Sequence, residues 1–100
     1  MKSISAMELF QIVQRKESCQ LIDVREVVEH NDFNIGADNI PMSEIFENIQ
    51  RLSPDQPVII YCQKGIRSAI VIQRLEEKFG FINLINLSGG VDAWRKDIID

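Results

Sequence analysis

Three short apolar segments alternate with longer amphipathic ones along the chain. Residues 21–24, 57–61 and 84–87 are mostly apolar, and polar or turn-forming residues lie next to each of them. Residues 57–61 are the clearest case, because they are mostly β-branched and have no polar break. This pattern is typical of a strand that is buried on both faces. We therefore predict β-strands at these three positions.

The longer segments have helical spacing. The first begins with Ser5 and Glu8, a capping-box pair in which each side chain can accept the backbone N–H of the other residue. The predicted apolar face of this helix consists of Ala6, Leu9, Phe10 and Val13. A second, short helix is predicted to begin at Pro41, and three of its residues should face inward: Ile45, Phe46 and Ile49.

A third helix is predicted from about residue 67 to residue 79. It should end at Gly80, since glycine readily adopts the left-handed conformation that closes many helices. Its inward face should consist of Ala69, Ile72, Leu75 and Phe79.

A tight turn at 88–90 and a last helix from 91 to about 98 complete the pattern, with Trp94 in the core. Strands separated by helices imply right-handed crossovers and a parallel sheet that is covered on both faces. The predicted fold class is therefore α/β, with three layers.

Composition and charge exclude several function classes. A length of 100 residues predicts one domain spanning 1–100. The net charge of −4 makes nucleic acids and anionic membrane surfaces poor partners. The chain has no apolar run of about 18 residues and no secretory signal at its start, so we expect it to be soluble and cytoplasmic.

Cysteine and histidine are too few, and too far apart, for a metal site or a disulfide scaffold. We interpret His30 as a surface or packing residue. Cys19 is interpreted as a structural thiol, although a resolving disulfide from Cys19 to Cys62 stays open as an alternative. A solvated surface is the interpretation of an acidic group in the first half: Glu26, Glu29, Asp32 and Asp38.

Cys62 is the reactive candidate. It follows the strand at 57–61 and precedes a helix, so it should lie at the carboxyl edge of the sheet, where ligands bind in such folds. Unpaired N–H groups of the first helical turn favour a thiolate, and Lys64 and Arg67 add positive charge. Gly65 can take a positive φ, which lets several N–H groups converge on the sulfur. The pattern favours a nucleophile that handles anions over a merely buried cysteine.

Four blocks of the sequence resemble the rhodanese-like sulfurtransferases. Residues 58–69 (VIIYCQKGIRSA) are similar to the active-site segment of that family, and residues 87–94 (LSGGVDAW) to its C-terminal GG-x-x-AW block. Residues 21–26 (LIDVRE) and 36–41 (GADNIP) resemble its first signature strand and its central element. The segment 33–37 (FNIGA) departs from the family's GHIPGA pattern, which predicts a local rearrangement of a structural turn.

The resemblance implies a central parallel sheet of about five strands and no cofactor. It also implies that Cys62 attacks a sulfane sulfur donor such as thiosulfate and carries the sulfur as a persulfide to a thiophilic acceptor. Asp23 and Arg25 would brace the loop. The Ser68 hydroxyl could bond the backbone or touch the persulfide, and both options stay open. The implied binding loop consists of Gln63, Lys64, Gly65, Ile66, Arg67 and Ser68.

Three alternative functions compete with sulfur transfer from a small donor. Cysteine phosphatases use a C-x5-R loop, whereas Cys62 and Arg67 form a shorter C-x4-R loop that favours sulfur over a phosphoryl group. A sulfur relay is the second alternative, because the loop resembles those of rhodanese domains fused to adenylyltransferases, which serve sulfur-carrier proteins in thiamin and molybdopterin synthesis. A non-catalytic binding module is the third, and the presence of Cys62, Gly65 and Arg67 together disfavours it.

Overall fold

Five parallel strands form a single sheet in the order β1-β5-β4-β2-β3 in the computed structural model, which describes residues 1–100. The strands are β1 (Lys2–Ile4), β2 (Gln20–Asp23), β3 (Asp38–Asn39), β4 (Val58–Tyr61) and β5 (Leu84–Leu87). The helices are α1 (Ala6–Gln14), α2 (Val27–Asp32), α3 (Ile66–Phe79) and α4 (Gly90–Trp94), which continues as one wider π-type turn over Arg95–Ile99. The predicted α/β class and the parallel sheet of about five strands are confirmed.

The two faces of the sheet bury separate clusters, because side chains alternate along each strand. One face packs Ile22, Val58 and Ile60 against Val71, Ile72 and Leu75 of α3. The other face packs Ile59, Tyr61 and Leu87 against Leu9 of α1 and Val91 and Trp94 of α4. The predicted three layers are therefore present, with the central strand β4 buried throughout.

Three polar or reactive side chains meet at the carboxyl edge of the sheet. Asp23 is the last residue of β2, Cys62 directly follows β4, and Asn86 lies near the end of β5. These strands are neighbours, with Asp23 opposite Tyr61 and Ile60 opposite Asn86. The topology thus brings residues from three distant parts of the sequence into one place.

Several predicted elements are corrected by the structure. The short helix expected from Pro41 is instead two 3-10 turns, Ile45–Glu47 and Ile49–Arg51, although Ile45, Phe46 and Ile49 do face the core. The edge strands β1 and β3 and the helix α2 were missed. Both edge strands are only three or two residues long, and α2 carries exposed valines instead of an apolar face.

Two side chains assigned to apolar faces lie partly outside the core. Phe79 is 44% exposed in the last turn of α3, and Val13 is 45% exposed near the end of α1. Both lie in the last turn of a helix. The capping box at Ser5 and Glu8 is confirmed, and Gly80 closes α3 in the left-handed conformation. None of the helices combines the length and the apolar character needed to cross a bilayer.

The glycine pair before α4 allows two backbone segments to touch. The N–H groups of Val91 and Asp92 donate to the carbonyl oxygens of Cys62 and Gln63, both at 3.0 Å. A Cβ atom on Gly90 would lie 2.3 Å from the Cys62 carbonyl oxygen, and the φ of Gly90 is +58°. Only glycine permits this approach, so the GG pair holds the loop after β4 against α4.

We expect Gly90→Ala to lower the free energy of unfolding by about 2–5 kcal/mol, since the new methyl group adds a steric clash to the strain of a positive φ. Gly80→Ala is the matched control, because the φ of Gly80 is +69° and its Cβ would meet nothing within 4 Å. It should cost only about 1–2 kcal/mol. Urea unfolding of both variants measures the difference, and equal losses would show that the close approach is unimportant.

Candidate active site

The sulfur of Cys62 lies at the centre of a loop of hydrogen-bond donors. The backbone N–H of Gly65 donates to Sγ at 3.1 Å, and the N–H of Ser68 donates at 3.4 Å. Gly65 has a φ of +85° and precedes the first turn of α3, so the chain folds back over the sulfur and directs the free N–H groups of the helix at it. The loop therefore forms the predicted anion nest.

The surroundings of Cys62 favour the thiolate. Burial raises the pKa of the Cys62 thiol, but the Ser68 hydroxyl and the N–H groups of Ser68, Lys64 and Gly65 lower it by more, so the pKa lies below its ordinary value. The sulfur also faces a cavity of about 350 Å³ lined by Glu29, Cys62, Gln63, Lys64, Ile66 and Arg67. The cavity gives a small molecule access to Cys62, a residue that is only 1% exposed.

The two cations of the loop, Lys64 and Arg67, differ in their ion pairing. Lys64 is exposed and makes no ion pair, whereas Arg67 binds the Glu29 carboxylate through two hydrogen bonds of 3.0 and 3.1 Å. Ile66 exposes its apolar side chain at the rim of the cavity. The sequence interpretation of Glu29 as part of a solvated acidic surface was therefore wrong for this residue. No local pattern signals the pair, because 38 residues separate its members.

Asp23 and Arg25 brace the loop. Both are almost fully buried, and Arg25 donates to both Asp23 carboxylate oxygens through Nε and Nη2. The Nη1 group of Arg25 donates to Gln63 Oε1 at 3.1 Å, while Gln63 Nε2 donates to the Asp92 carboxylate on α4. Gln63 is thus fixed from both sides, and the loop is tied to β2 and α4 together.

The remaining titratable groups nearby belong to this brace. His30 Nδ1 lies 2.9 Å from Asp23 Oδ2, with the His30 side chain 16% exposed, so His30 is a packing residue. Burial and the nearby Asp23 carboxylate raise the pKa of Tyr61 to about 12, so the phenol stays protonated. Its oxygen accepts the N–H of Ile35, in the segment that replaces the family's usual turn.

Ser68 and Asn86 form a buried polar pair behind the sulfur. The Ser68 hydroxyl has one proton and two acceptors within reach, Cys62 Sγ at 3.3 Å and Asn86 Oδ1 at 2.6 Å. Asn86 Nδ2 donates to the Gly65 carbonyl at 3.1 Å. Asn86 was missed as a site residue. A polar residue near the end of an apolar strand next to β4 was the only available signal.

The second thiol is in a different environment. Cys19 packs against the cluster on the opposite face of the sheet from Cys62. Burial and the charge of Glu17 raise the pKa of the Cys19 thiol. Both thiols are free, and the different locations give no support to a resolving disulfide. No group of three or more His, Cys, Asp or Glu side chains is arranged to hold a metal ion.

Comparison with known proteins identifies the family. The profile of the Rhodanese-like domain matches residues 6–97. The chain belongs to the rhodanese-like family. Its solved relatives in this family include a rhodanese-like domain protein from Staphylococcus aureus, with 35% identity, a TM-score of 0.85 and coverage of 94% of this chain and 91% of that one. A rhodanese-related protein from Thermoplasma volcanium has 28% identity and a TM-score of 0.86, covering 98% and 94% of the two chains.

The chain is also similar in sequence to rhodanese-like proteins of which it covers very different fractions. The chain is 40% identical over 95 residues to YqhL of Bacillus subtilis, covering 94% of this chain and 72% of YqhL. It is 30% identical over 95 residues to the thiosulfate sulfurtransferase GlpE of Coxiella burnetii, covering 94% and 87%. It is also 35% identical over 99 residues to MoeZ of Mycobacterium tuberculosis, a probable adenylyltransferase/sulfurtransferase, covering 96% of this chain but only 25% of MoeZ.

We expect the two thiols to react with iodoacetamide at different pH. Only thiolates react, so each alkylation rate rises with pH about a midpoint set by the pKa of that thiol. The midpoint for Cys62 should lie below that of an ordinary thiol, and the midpoint for Cys19 above it. Ser68→Ala should move the Cys62 midpoint upward, because the charged thiolate is a stronger acceptor than the neutral Asn86 amide and would lose the one hydroxyl proton within its reach. Peptide mass analysis after timed alkylation measures both sites in one sample. A Cys62 midpoint at or above that of Cys19 would contradict the assignment.

Proposed function

We propose that this rhodanese-like chain is a sulfurtransferase in which Cys62 carries sulfane sulfur as a persulfide. The observation that supports this most strongly is the convergence of the Gly65 and Ser68 N–H groups on Cys62 Sγ beside an open cavity. The name of the GlpE relative supports thiosulfate as a donor. Gln63, Lys64, Ile66 and Arg67 would form the wall that the donor meets.

The proposed transfer needs no metal or cofactor. The Cys62 thiolate attacks the outer sulfur of thiosulfate, a new Sγ–S bond forms, and the S–S bond of thiosulfate breaks with its electron pair leaving on sulfite. Sulfite carries two negative charges and the persulfide one, so charge balances without a proton. A nucleophilic acceptor such as cyanide then takes the outer sulfur, leaves as thiocyanate and restores the Cys62 thiolate.

The N–H groups of the loop would act at both stages. They lower the pKa of the Cys62 thiol, so that more thiolate is present at neutral pH. The outer sulfur of a persulfide also carries negative charge, and it would lie in the same ring of donors. Asp23 and Arg25 would act indirectly, since they hold Gln63 and with it the loop.

The phosphatase alternative has less support from the geometry. A phosphatase loop needs its arginine to grip the phosphoryl oxygens, whereas the Arg67 guanidinium is engaged by both oxygens of Glu29. The loop also has one residue fewer than the C-x5-R pattern requires.

A sulfur relay is the second candidate. MoeZ supports it, because this chain covers 96% of its own length in an alignment with a protein named adenylyltransferase/sulfurtransferase. In that case the same Cys62 persulfide would pass its sulfur to a sulfur-carrier protein instead of a small acceptor. The chemistry at Cys62 is shared, so one experiment tests both.

We expect thiosulfate to add one sulfur atom to the protein, and cyanide to remove it as thiocyanate. Intact mass measured without reductant detects the addition, and peptide analysis should locate it on Cys62. Cys62→Ser should lose the adduct completely while keeping the thermal unfolding midpoint. Cys19→Ser is the matched control and should keep the adduct.

The outcome with the control variants decides the proposal. An adduct that persists in Cys62→Ser, or that requires Cys19, would overturn the assignment of the nucleophile. If folded wild-type protein forms no adduct with thiosulfate or with a cysteine desulfurase as donor, the sulfurtransferase proposal itself fails.

A further inference from the structure

The ion pair between Glu29 and Arg67 at the mouth of the cavity bears on which donors the site accepts. We propose that Glu29 is a specificity residue that disfavours small dianionic sulfur donors such as thiosulfate and favours donors of lower charge, such as a persulfide on a protein cysteine. The choice of sulfur donor rests on the proposed function. Control by Glu29 of anion access to Cys62 does not depend on sulfur transfer.

The carboxylate of Glu29 occupies the donors that would otherwise bind an anion. Its two oxygens accept from Nη1 and Nη2 of Arg67 at 3.1 and 3.0 Å, which is the two-point geometry in which arginine binds oxyanions. A small dianion that needs this guanidinium edge must therefore displace Glu29 or bind elsewhere in the cavity.

The position of Glu29 is fixed by its own helix. Its Oε2 also accepts the backbone N–H of Glu26 at 2.9 Å, within the capping box of α2. The Arg67 hydrogen bonds, partly offset by burial, and the Glu26 N–H hold the pKa of Glu29 below its usual range, so the carboxylate is charged at neutral pH. Hydrogen bonds from Glu26 and Arg67 thus hold the carboxylate in one position at the cavity mouth.

The charges around the cavity balance because of Glu29. Among its lining residues, Lys64 and Arg67 are positive and Glu29 is negative, and the Cys62 thiolate adds a second negative charge. An approaching dianion therefore meets lining side chains whose formal charges cancel, and only the backbone N–H groups of the loop remain to attract it. Replacing Glu29 with a neutral residue leaves one excess positive charge close to the reacting sulfur. The Arg67 side chain is 37% exposed, so this charge stays open to screening by salt.

Alkylation of Cys62 with charged and uncharged reagents tests this without sulfur transfer. Iodoacetate and iodoacetamide react with the same thiolate by displacing iodide, so the ratio of their rates cancels any change in the pKa of the thiol. In Glu29→Gln, which keeps the shape of the side chain and one acceptor for Arg67, we expect the iodoacetate/iodoacetamide ratio to rise about three- to tenfold. Peptide analysis restricts the measurement to Cys62.

Asp32→Asn is the matched control. Asp32 lies on the same helix, is exposed and makes no ion pair, so its substitution removes the same charge without touching Arg67. Its ratio should stay within about 1.5-fold of the wild type. Rising salt should lower the ratio in Glu29→Gln much more than in the wild type, which gives a second measurement that does not depend on the size of the first effect.

The outcomes separate this inference from the proposed function. An unchanged ratio in Glu29→Gln, or an equal rise in Asp32→Asn, overturns the role of Glu29 even if Cys62 transfers sulfur. A higher ratio in Glu29→Gln alone supports it, even if the wild type forms no persulfide. If persulfide does form, the KM for thiosulfate should fall in Glu29→Gln by a factor similar to the rise in the ratio, and a higher KM would contradict the proposed specificity.

Discussion

A thiolate at Cys62 loses most of its contact with water, and the loop must replace that water with N–H groups. The Gly65 and Ser68 amides do so at 3.1 and 3.4 Å. Their positions depend on the whole carboxyl edge of the sheet: Gly90 lets α4 approach the Cys62 carbonyl, and Asn86 binds the Gly65 carbonyl. The brace from Asp23 through Arg25 to Gln63 completes this support. The fold thus stabilises one charged sulfur with neutral dipoles that need little rearrangement.

Much of this arrangement could be predicted from the sequence because its signals are local. The β-branched segment before Cys62 indicated a buried central strand, and alternation with helices indicated a parallel sheet whose carboxyl edge binds ligands. Glycine at position 65 indicated a loop that can fold back over the sulfur. The resemblance to the rhodanese-like family identified the GG pair as a motif but gave no physical reason for it. The 2.3 Å approach of a Cβ on Gly90 to the Cys62 carbonyl gives the physical reason for it.

The parts that were missed depend on distant residues or on weak local patterns. The Glu29–Arg67 pair joins residues 38 positions apart, so an acidic cluster on a polar segment suggested only a solvated surface. Asn86 belongs to the site because β5 is next to β4, which no local pattern reveals. The two-residue strand β3 and the three-residue strand β1 are too short to show alternation. Tertiary pairing decides the structure in each of these cases.

Nuclear magnetic resonance of the amide protons around Cys62 tests the central claim most directly. If backbone N–H groups stabilise the thiolate, the amide protons of Gly65 and Ser68 should shift downfield together as Cys62 ionises, with one midpoint below that of an ordinary thiol. Cys62→Ser should abolish this titration and leave the other amides in place. Amides at 65 and 68 that do not respond to pH, or a midpoint at or above that of an ordinary thiol, would contradict the claim that this loop holds a thiolate.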